Sequence, residues 1–181
     1  SSFNSEYNYI AGAVGHLNGT MDNVNLEGVT VYGGSNSYNV GGLTAYINST
    51  TTINNCTFAG TVTGGFSTRG TGGLVGTVQE ENPGTVTISN CAFTGTLNGT
   101  KPVGGILGMI RTVTGKQLDV YVTDCVVSGT VTITENSSQC GSVCGRSEAN
   151  TKIVLTRVNT ASCTRTTRCA SAENGTVVDN D

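Results

Sequence analysis

Gly72-Gly73-Leu74-Val75-Gly76 is a hydrophobic segment bounded by glycines, and related segments occur four more times along the chain. The other copies are Gly12-Ala13-Val14-Gly15, Gly41-Gly42-Leu43, Gly104-Gly105-Ile106-Leu107-Gly108 and Gly141-Ser142-Val143-Cys144-Gly145. One position of each copy, here named the marker position, falls at residue 12, 42, 73, 105 or 142, so that successive markers are 30, 31, 32 and 37 residues apart. A repeat of this length predicts a solenoid, in which each unit buries its apolar face by stacking on the next.

A second segment follows each marker and has apolar residues at alternate positions, which is typical of a strand with one buried face. These middle segments are 24–28, 56–60, 91–95, 125–129 and, in degenerate form, 158–162. Short exits rich in β-branched residues follow at 61–63, 96–98 and 130–132. The sequence therefore predicts an all-β, right-handed parallel β-solenoid (a β-helix) of about five coils, with three short strands in each coil.

The whole chain, 1–181, is predicted to be one solenoid domain, because no change in composition divides its 181 residues. The repeats cover approximately 8–38, 39–70, 71–101, 102–138 and 139–162, and a cysteine-rich cap follows at 163–181. Helices are not expected, since 26 residues are glycine and no stretch repeats its apolar residues with a helical period. We expect a mature or processed unit, or part of a longer array, with no membrane-inserted segment.

Gly73-Leu74-Val75-Gly76 and Gly105-Ile106-Leu107-Gly108, with the Asn90-Cys91 and Asp124-Cys125 pairs that follow them, resemble the GLUG motif. This Gly-Leu-any-Gly repeat is found in bacterial and protist surface proteins, including adhesin-like ones. The resemblance covers roughly residues 10 to 162, with departures at Ala45 in the second copy and at Ser142 and Cys144 in the fifth. It implies a place at the cell surface and a structural or adhesive role, and it implies no catalytic residue.

Three of the seven cysteines, Cys56, Cys91 and Cys125, occupy the same position in successive repeats. Val24 and Val158 fill that position in the first and fifth repeats, which indicates an apolar, inward-facing site. We interpret the three as a buried ladder of thiols that act as small hydrophobic groups. A disulfide within the ladder is the alternative, because neighbouring coils are close enough for one.

The other four cysteines, Cys140, Cys144, Cys163 and Cys169, are candidates for two disulfides that secure the C-terminal cap. Three pairings are possible, and the sequence does not choose between them. Zinc is the rival explanation, but the spacings are poor for ligands and the only histidine, His16, is distant in sequence. We predict no metal and no cofactor. Clustered cysteines of this kind favour an oxidising compartment.

Six Asn-x-Ser/Thr sequons are candidate N-glycosylation sites, although composition alone would give nearly as many. They are Asn18, Asn48, Asn55, Asn98, Asn136 and Asn174. Five are predicted to lie in turns between strands, where a glycan could project. Asn55 is the doubtful one, because it precedes the buried position of Cys56 within a strand.

Charge and residue types argue against two classes of function. A net charge of −3 with only 9 basic residues provides no footprint for nucleic acid. The carboxylates are scattered and His16 has no evident nucleophilic partner, so we expect no catalytic residue and no enzyme activity. Five of the basic residues lie near the C-terminus, where they form either a polar cap or a docking surface for an acidic partner; these are Arg146, Lys152, Arg157, Arg165 and Arg168.

These features favour an extracellular or cell-surface structural or adhesive protein. One form of it would be a glycosylated subunit that stacks end to end into a filament. Its partners would be copies of itself, another surface protein or a glycan. An ice- or glycan-binding β-solenoid is the alternative, suggested by threonines at 61, 63, 96, 130 and 132 that are interrupted by Asn98, Val29 and Val31. A polysaccharide-active enzyme is the third and weakest interpretation.

Overall fold

The alternating segments form parallel strands that stack from coil to coil. The computed structural model describes residues 2–5, 8–65, 69–80, 84–100, 102–113, 115–135, 138–172 and 174–181. Within them the strands are β1 (Ser2–Ser5), β2 (Tyr9–Ala11), β3 (Val14–Asp22), β4 (Asn25–Gly33), β5 (Asn39–Gly41), β6 (Thr44–Asn54), β7 (Thr57–Thr63), β8 (Gly70–Gly72), β9 (Val75–Glu80), β10 (Gly84–Ser89), β11 (Ala92–Gly99), β12 (Val103–Gly104), β13 (Leu107–Thr112), β14 (Leu118–Thr123), β15 (Val126–Ile133), β16 (Cys140–Gly141), β17 (Cys144–Ser147), β18 (Thr151–Thr156), β19 (Cys169–Ala172) and β20 (Thr176–Asp179).

Three sheets form the sides of the solenoid. The glycine sheet contains β2, β5, β8, β12 and β16, and the middle sheet contains β1, β4, β7, β11 and β15. The remaining ten strands make the large sheet, in which β6 pairs with β3, β9 and β10. The short glycine strand recurs five times, so the chain completes about four full turns between its first and last copies. The predicted all-β parallel solenoid is confirmed, and no helix that could span a membrane occurs in the described part of the chain.

The strands are divided differently from the sequence pattern. Each middle segment and its exit form one continuous strand, as in β7 and β11. In the second coil one long strand, β6, precedes the position that the ladder cysteines occupy. From the third coil onward two strands take its place: β9 pairs with the first half of β6, and β10 pairs with the second half. The first two coils therefore have three strands, and the third and fourth have four. In the fifth coil β16, β17 and β18 are followed by isolated bridges at Asn159 and Cys163.

A left-handed residue turns the corner between the large sheet and the middle sheet in every coil. These residues have φ between 52° and 58°, and each directly precedes the position that a ladder cysteine, Val24 or Val158 occupies. They are Asn23, Asn55, Asn90, Asp124 and Arg157. Asn and Asp tolerate this conformation better than other residues with a side chain. Side-chain amides also link neighbouring corners, since Asn90 Nδ2 donates to Asn54 Oδ1 at 3.0 Å.

The interior is a continuous column of apolar side chains. In the middle sheet Leu26, Phe58, Phe93 and Val127 are in register, one above the other. Phe58 and Phe93 are fully buried, and their rings stack with centroids 6.1 Å apart. The predicted inward face of the middle segments is therefore confirmed.

The marker glycines bring adjacent coils into closer contact than any side chain would permit. A Cβ at Gly42 would lie 2.0 Å from the Gly73 carbonyl oxygen, and one at Gly73 would lie 2.1 Å from the Gly105 carbonyl oxygen. The same two glycines face the rings of Phe58 and Phe93, whose atoms would be 2.8 and 2.6 Å from the added carbons. Because backbone lies on one side and a packed ring on the other, neither neighbour has room to move.

The segment 163–181, predicted to be a cap, extends the large sheet with β19 and β20, which pair in parallel with β17 and β18. Arg168 holds its end, with Nη1 3.0 Å from Asp179 Oδ1 and Nη2 2.6 Å from Asp181 Oδ2. The hydrogen bond from Arg168 is the main cause that lowers the pKa of Asp181. Asp181 also accepts a hydrogen bond from the Val158 amide at 2.7 Å.

Replacing Gly73 by Ala should lower the free energy of unfolding by roughly 1–3 kcal/mol, because the new methyl group would overlap the Gly105 carbonyl and the Phe93 ring. Gly15→Ala is the matched control, since a Cβ there would make only ordinary contacts, the nearest at 3.6 Å. Urea unfolding followed by circular dichroism measures both variants. Equal stability of the two variants would contradict close packing at the marker.

Candidate binding groove

Two cavities lie side by side on the outer surface and share Arg69 as a common wall. The aromatic cavity, of about 300 Å³, is lined by Asn8, Tyr9, Tyr38, Asn39 and Arg69. The basic cavity, of about 480 Å³, is lined mainly by Arg69, Pro102, Met109, Arg111, Arg146 and Glu148. Together they are named the groove.

The parallel register places the walls of the groove in columns that run from coil to coil. Tyr9, Asn39 and Gly70 are partners in the glycine sheet. The preceding residues Tyr38 and Arg69 are adjacent as well, because the Arg69 amide donates to the Tyr38 carbonyl. One wall is thus built from equivalent positions of successive repeats.

The large sheet contributes Met109 and Arg146 to the lining of the groove, and these two are in register with His16, Tyr46 and Thr77 of the earlier coils. Tyr46 and Met109 are each only 4% exposed, yet they lie outside the central hydrophobic cluster. The Tyr9 ring packs on Tyr46, and Met109 lines the basic cavity. Both residues therefore belong to a second layer of packing and not to the solenoid core.

The aromatic cavity presents two exposed tyrosines in fixed positions. Tyr9 and Tyr38 are 43% and 42% exposed. The Tyr9 ring packs on Tyr46 with centroids 4.9 Å apart, and the Arg69 guanidinium lies 5.3 Å from the centroid of the Tyr38 ring. Packing against Tyr46 and the cation–π contact with Arg69 restrict ring motion, so that each tyrosine offers a pre-positioned apolar face.

Asn39 supplies an unused hydrogen-bond acceptor between these rings. The residue is 5% exposed, and its Oδ1 atom is buried without a hydrogen-bond partner. Its backbone amide donates to the Asn8 carbonyl at 2.9 Å, which fixes the position of the residue. A buried polar atom left without a partner is unfavourable, so a donor from a bound molecule or a water would satisfy it.

The basic cavity holds three arginines and one carboxylate. Glu148 Oε1 lies 3.1 Å from Arg146 Nη2, and Oε2 lies 3.8 Å from Arg111 Nε. These three side chains are about one quarter exposed, which weakens the screening of their charges by water. With Arg69 included, the described lining residues carry three positive charges and one negative charge. Among its described lining residues Glu148 is the sole carboxylate, so the pair of carboxyl groups used in glycoside hydrolysis is not assembled there.

The cysteine ladder lies in the core, as the sequence indicates. Cys56, Cys91 and Cys125 are at most 1% exposed, and all three are free thiols. Each Sγ is close enough to donate to the carbonyl two residues earlier, at 3.1 Å for Cys56, 3.0 Å for Cys91 and 3.2 Å for Cys125. Burial raises the pKa of Cys56, and the hydrogen bond with Cys125 together with burial raises that of Cys91. These thiols act as structural groups.

The four C-terminal cysteines are also free thiols, but the fold brings them into two neighbouring pairs. Cys144 and Cys169 are direct partners of β17 and β19. Cys140 is near Cys163, whose influence adds to burial in raising the pKa of Cys140. No group of three or more His, Cys, Asp or Glu residues within the described ranges is arranged to hold a metal ion.

The sequons are placed differently from the prediction. Asn18, Asn48 and Asn98 lie within β3, β6 and β11, so the prediction that they occupy turns between strands is wrong. The ladder continues through Asn98, whereas Asn18 and Asn48 lie at the register shift between β3 and β6. Asn174 lies between β19 and β20 and is exposed. Asn55 is exposed at a corner, whereas we expected a strand with doubtful access. Asn136 lies outside the described residues. Glycosylation at all six stays a prediction.

The predicted basic cluster is dispersed. Arg146 lines the basic cavity, whereas Arg157 pairs with Asp124 at 2.5 Å and Arg168 holds Asp179 and Asp181. Arg165 Nε donates to the Cys140 carbonyl at 2.8 Å. Lys152 belongs to β18, in register with Asp119. The five residues therefore do not form one docking surface.

The aromatic cavity was not predicted, because the repeat was defined by its glycines and cysteines alone. A signal is nevertheless present four residues before the marker position, where successive repeats have Asn8, Tyr38, Arg69 and Lys101. Three residues before it they have Tyr9, Asn39, Gly70 and Pro102. Large polar and aromatic residues at equivalent positions of a solenoid indicate a continuous surface feature. Lys101 lies outside the described residues.

We expect the ladder thiols to resist alkylation in the folded protein, because they are buried and the pKa values of Cys56 and Cys91 are raised, which leaves little thiolate to react. Peptide mapping by mass spectrometry after iodoacetamide treatment measures this at each cysteine. Partly exposed Cys163, kept reduced, is the internal control. Modification of Cys56 or Cys91 as fast as Cys163, without denaturant, would contradict the expectation.

The chain matches no family model, no curated protein and no solved structure. The resemblance to GLUG repeats consequently rests on the motif residues alone and stays a hypothesis. The function is therefore interpreted from the groove and its chemistry.

Proposed function

We propose that the protein is an extracellular adhesive module that binds carbohydrate in the groove. The observation that carries this proposal is the aromatic cavity, where two exposed tyrosines flank the unpartnered Oδ1 of Asn39. On the sequence alone, adhesion and glycan binding are separate alternatives. In this proposal they are one function, because the protein adheres by binding a glycan. Its partner is a glycan on another surface.

The chemistry of the cavity suits a sugar ring. The C–H face of a pyranose packs on a tyrosine ring, and its hydroxyl groups donate to amide oxygens such as Asn39 Oδ1. Both tyrosine rings are restricted by their contacts with Tyr46 and Arg69, so that little conformational freedom is lost on binding. A cavity of about 300 Å³ is at the lower limit of small-molecule sites and suits one sugar unit.

An extracellular location is supported by two arguments of different kinds. The GLUG resemblance implies a surface protein, and the cysteine pairs near the C-terminus are typical of a chain that meets an oxidising compartment. A glycosylated filament subunit that stacks end to end stays a prediction, since the groove supports adhesion without requiring assembly.

Tyr38→Ala should weaken carbohydrate binding about tenfold, or about 1.4 kcal/mol, because it removes one apolar face and the partner of Arg69. Binding is first detected on a glycan array and then titrated by calorimetry with the glycan that gives the strongest signal. The matched control is Tyr32→Ala, since Tyr32 is 46% exposed on the middle sheet and lines neither cavity of the groove. An equal loss in both variants would count against the groove as the site.

We further propose that the C-terminal cysteines close as Cys144–Cys169 and Cys140–Cys163. Cys144 and Cys169 face each other on adjacent parallel strands, whose spacing of about 4.8 Å lies within the Cα separations found in disulfides. The Arg165 bond to the Cys140 carbonyl brings the segment around residue 163 to β16. Each bridge forms when two thiols give two electrons and two protons to oxidised glutathione, which becomes two glutathione thiols.

After incubation with oxidised glutathione, we expect non-reducing peptide mapping to show those two linkages. Each bridge should raise the free energy of unfolding by roughly 3 kcal/mol, because it restricts the unfolded chain. Cys163→Ser should leave the Cys144–Cys169 linkage unchanged. Either of the other two pairings, or four unlinked thiols, would overturn the assignment.

Ice binding is a second candidate, favoured by one column of the middle sheet. Thr30, Thr61, Thr96 and Thr130 are in register, so that threonine continues through the first coil, while Val29 and Val31 are buried. The neighbouring column, formed by Tyr32, Thr63, Asn98 and Thr132, is interrupted as the sequence indicates. A single uninterrupted column is a narrow template for ordered water, and this makes ice binding the weaker candidate.

If the threonine column binds ice, the protein should show thermal hysteresis that Thr96→Lys abolishes, because a long charged side chain would stand above the column. Thr87→Lys is the control, since Thr87 lies on the large sheet. Nanolitre osmometry measures both variants. A freezing point that equals the melting point for the unaltered protein would exclude this candidate.

A further inference from the structure

We infer that the groove selects acidic glycans, with the basic cavity as the subsite for a carboxylate or sulfate group of the ligand. This inference rests on the proposed carbohydrate function and deepens it by naming the ligand class. It is carried by three arginines that line one cavity, Arg69, Arg111 and Arg146, where Glu148 is the sole carboxylate among the described lining residues.

Among the described residues that line the basic cavity, positive charges outnumber negative ones. Glu148 is within hydrogen-bonding distance of Arg146 at 3.1 Å, whereas its 3.8 Å separation from Arg111 Nε is too long for a hydrogen bond. Arg111 Nε is buried and has no hydrogen-bond partner. A buried guanidinium donor without an acceptor is costly, and an anionic oxygen is the acceptor that would stabilise it most.

Glu148 orients the arginines without neutralising them. Arg146 comes from β17, and Arg111 from the adjacent β13, in which Met109 is the register partner of Arg146. One carboxylate between two guanidinium groups restricts both side chains, and Arg111 Nε keeps a donor for a second anion. Arginine is suited to this task because its planar donors match the geometry of a carboxylate or sulfate.

Arg69 joins the basic cavity to the aromatic one, and thereby relates the charge to the sugar. It lines both cavities and lies over the Tyr38 ring. The groove crosses the coils of β2, β5, β8, β12 and β16, which at about 4.8 Å for each step spans roughly 15 to 20 Å. A glycan of several units can therefore place one ring on the tyrosines and an acidic group among the arginines.

The test uses glycans presented in matched acidic and neutral forms: oligogalacturonates against their methyl esters, and heparin oligosaccharides against desulfated ones. We expect at least about tenfold tighter binding of one acidic form than of its neutral counterpart, with a steep loss of affinity as salt increases. The uronate and sulfate series identify which anion the cavity takes.

Arg111→Gln should remove the preference for the acidic form while binding of the neutral form stays unchanged. Arg111→Lys, which keeps the charge, should restore part of the preference, and Lys152→Gln is a control that removes one positive charge outside the groove. Thermal unfolding of each variant shows that the fold is retained.

The outcomes separate the two proposals. Equal binding of acidic and neutral forms, or a preference that survives Arg111→Gln in a folded variant, would overturn the acidic subsite and leave carbohydrate binding in place. Binding of neither form would overturn both proposals. Loss of both forms in Tyr38→Ala, with loss of only the acidic preference in Arg111→Gln, would support both.

Discussion

The stacking of each marker glycine on the carbonyl of the next coil is the constraint on which the rest of the structure depends. At Gly42, Gly73 and Gly105 an added Cβ would lie 2.0 to 2.1 Å from the backbone oxygen at the following marker position. This contact fixes how closely the coils approach and therefore the register of all three sheets. It also makes room for Phe58 and Phe93, which fill the interior directly against the glycines. At the fifth marker, Ser142 is fully buried and its hydroxyl donates to the Thr167 carbonyl at 3.3 Å.

Fixed register turns a repeat in sequence into columns on the surface. Equivalent positions of successive coils lie about 4.8 Å apart, so that a residue type shared by several repeats becomes a continuous stripe. The threonine column and the wall of the groove arise in this way. The function of such a surface depends on where the stripes differ between repeats. Tyrosine gives way to arginine between Tyr38 and Arg69, and this change divides the groove into an apolar part and a charged part.

Charged side chains stabilise the last coil where the repeat pattern weakens. Arg157 adopts the left-handed corner conformation that Asn or Asp adopts in the other coils, and its guanidinium pairs with Asp124 of the preceding corner. This hydrogen bond lowers the pKa of Asp124. Arg168 does the same for Asp181, whose carboxylate also accepts the Val158 amide. Because both aspartates have lowered pKa values, these contacts are present above the ordinary aspartate pKa and are lost as the pH falls through the lowered values.

The sequence by itself determined the solenoid, its repeat length and its buried cysteine ladder, because glycine spacing and alternating apolar residues express local packing needs that recur in each unit. It did not reveal that the third and fourth coils have four strands, since the division of one long strand such as β6 into β9 and β10 leaves the alternation of apolar residues unchanged. Nor did it show that Tyr38, Asn39, Arg69 and Arg111 share a groove. Only the tertiary structure decided this, because residues some 30 positions apart become neighbours when coils stack. The same stacking places Cys144 of β17 opposite Cys169 of β19.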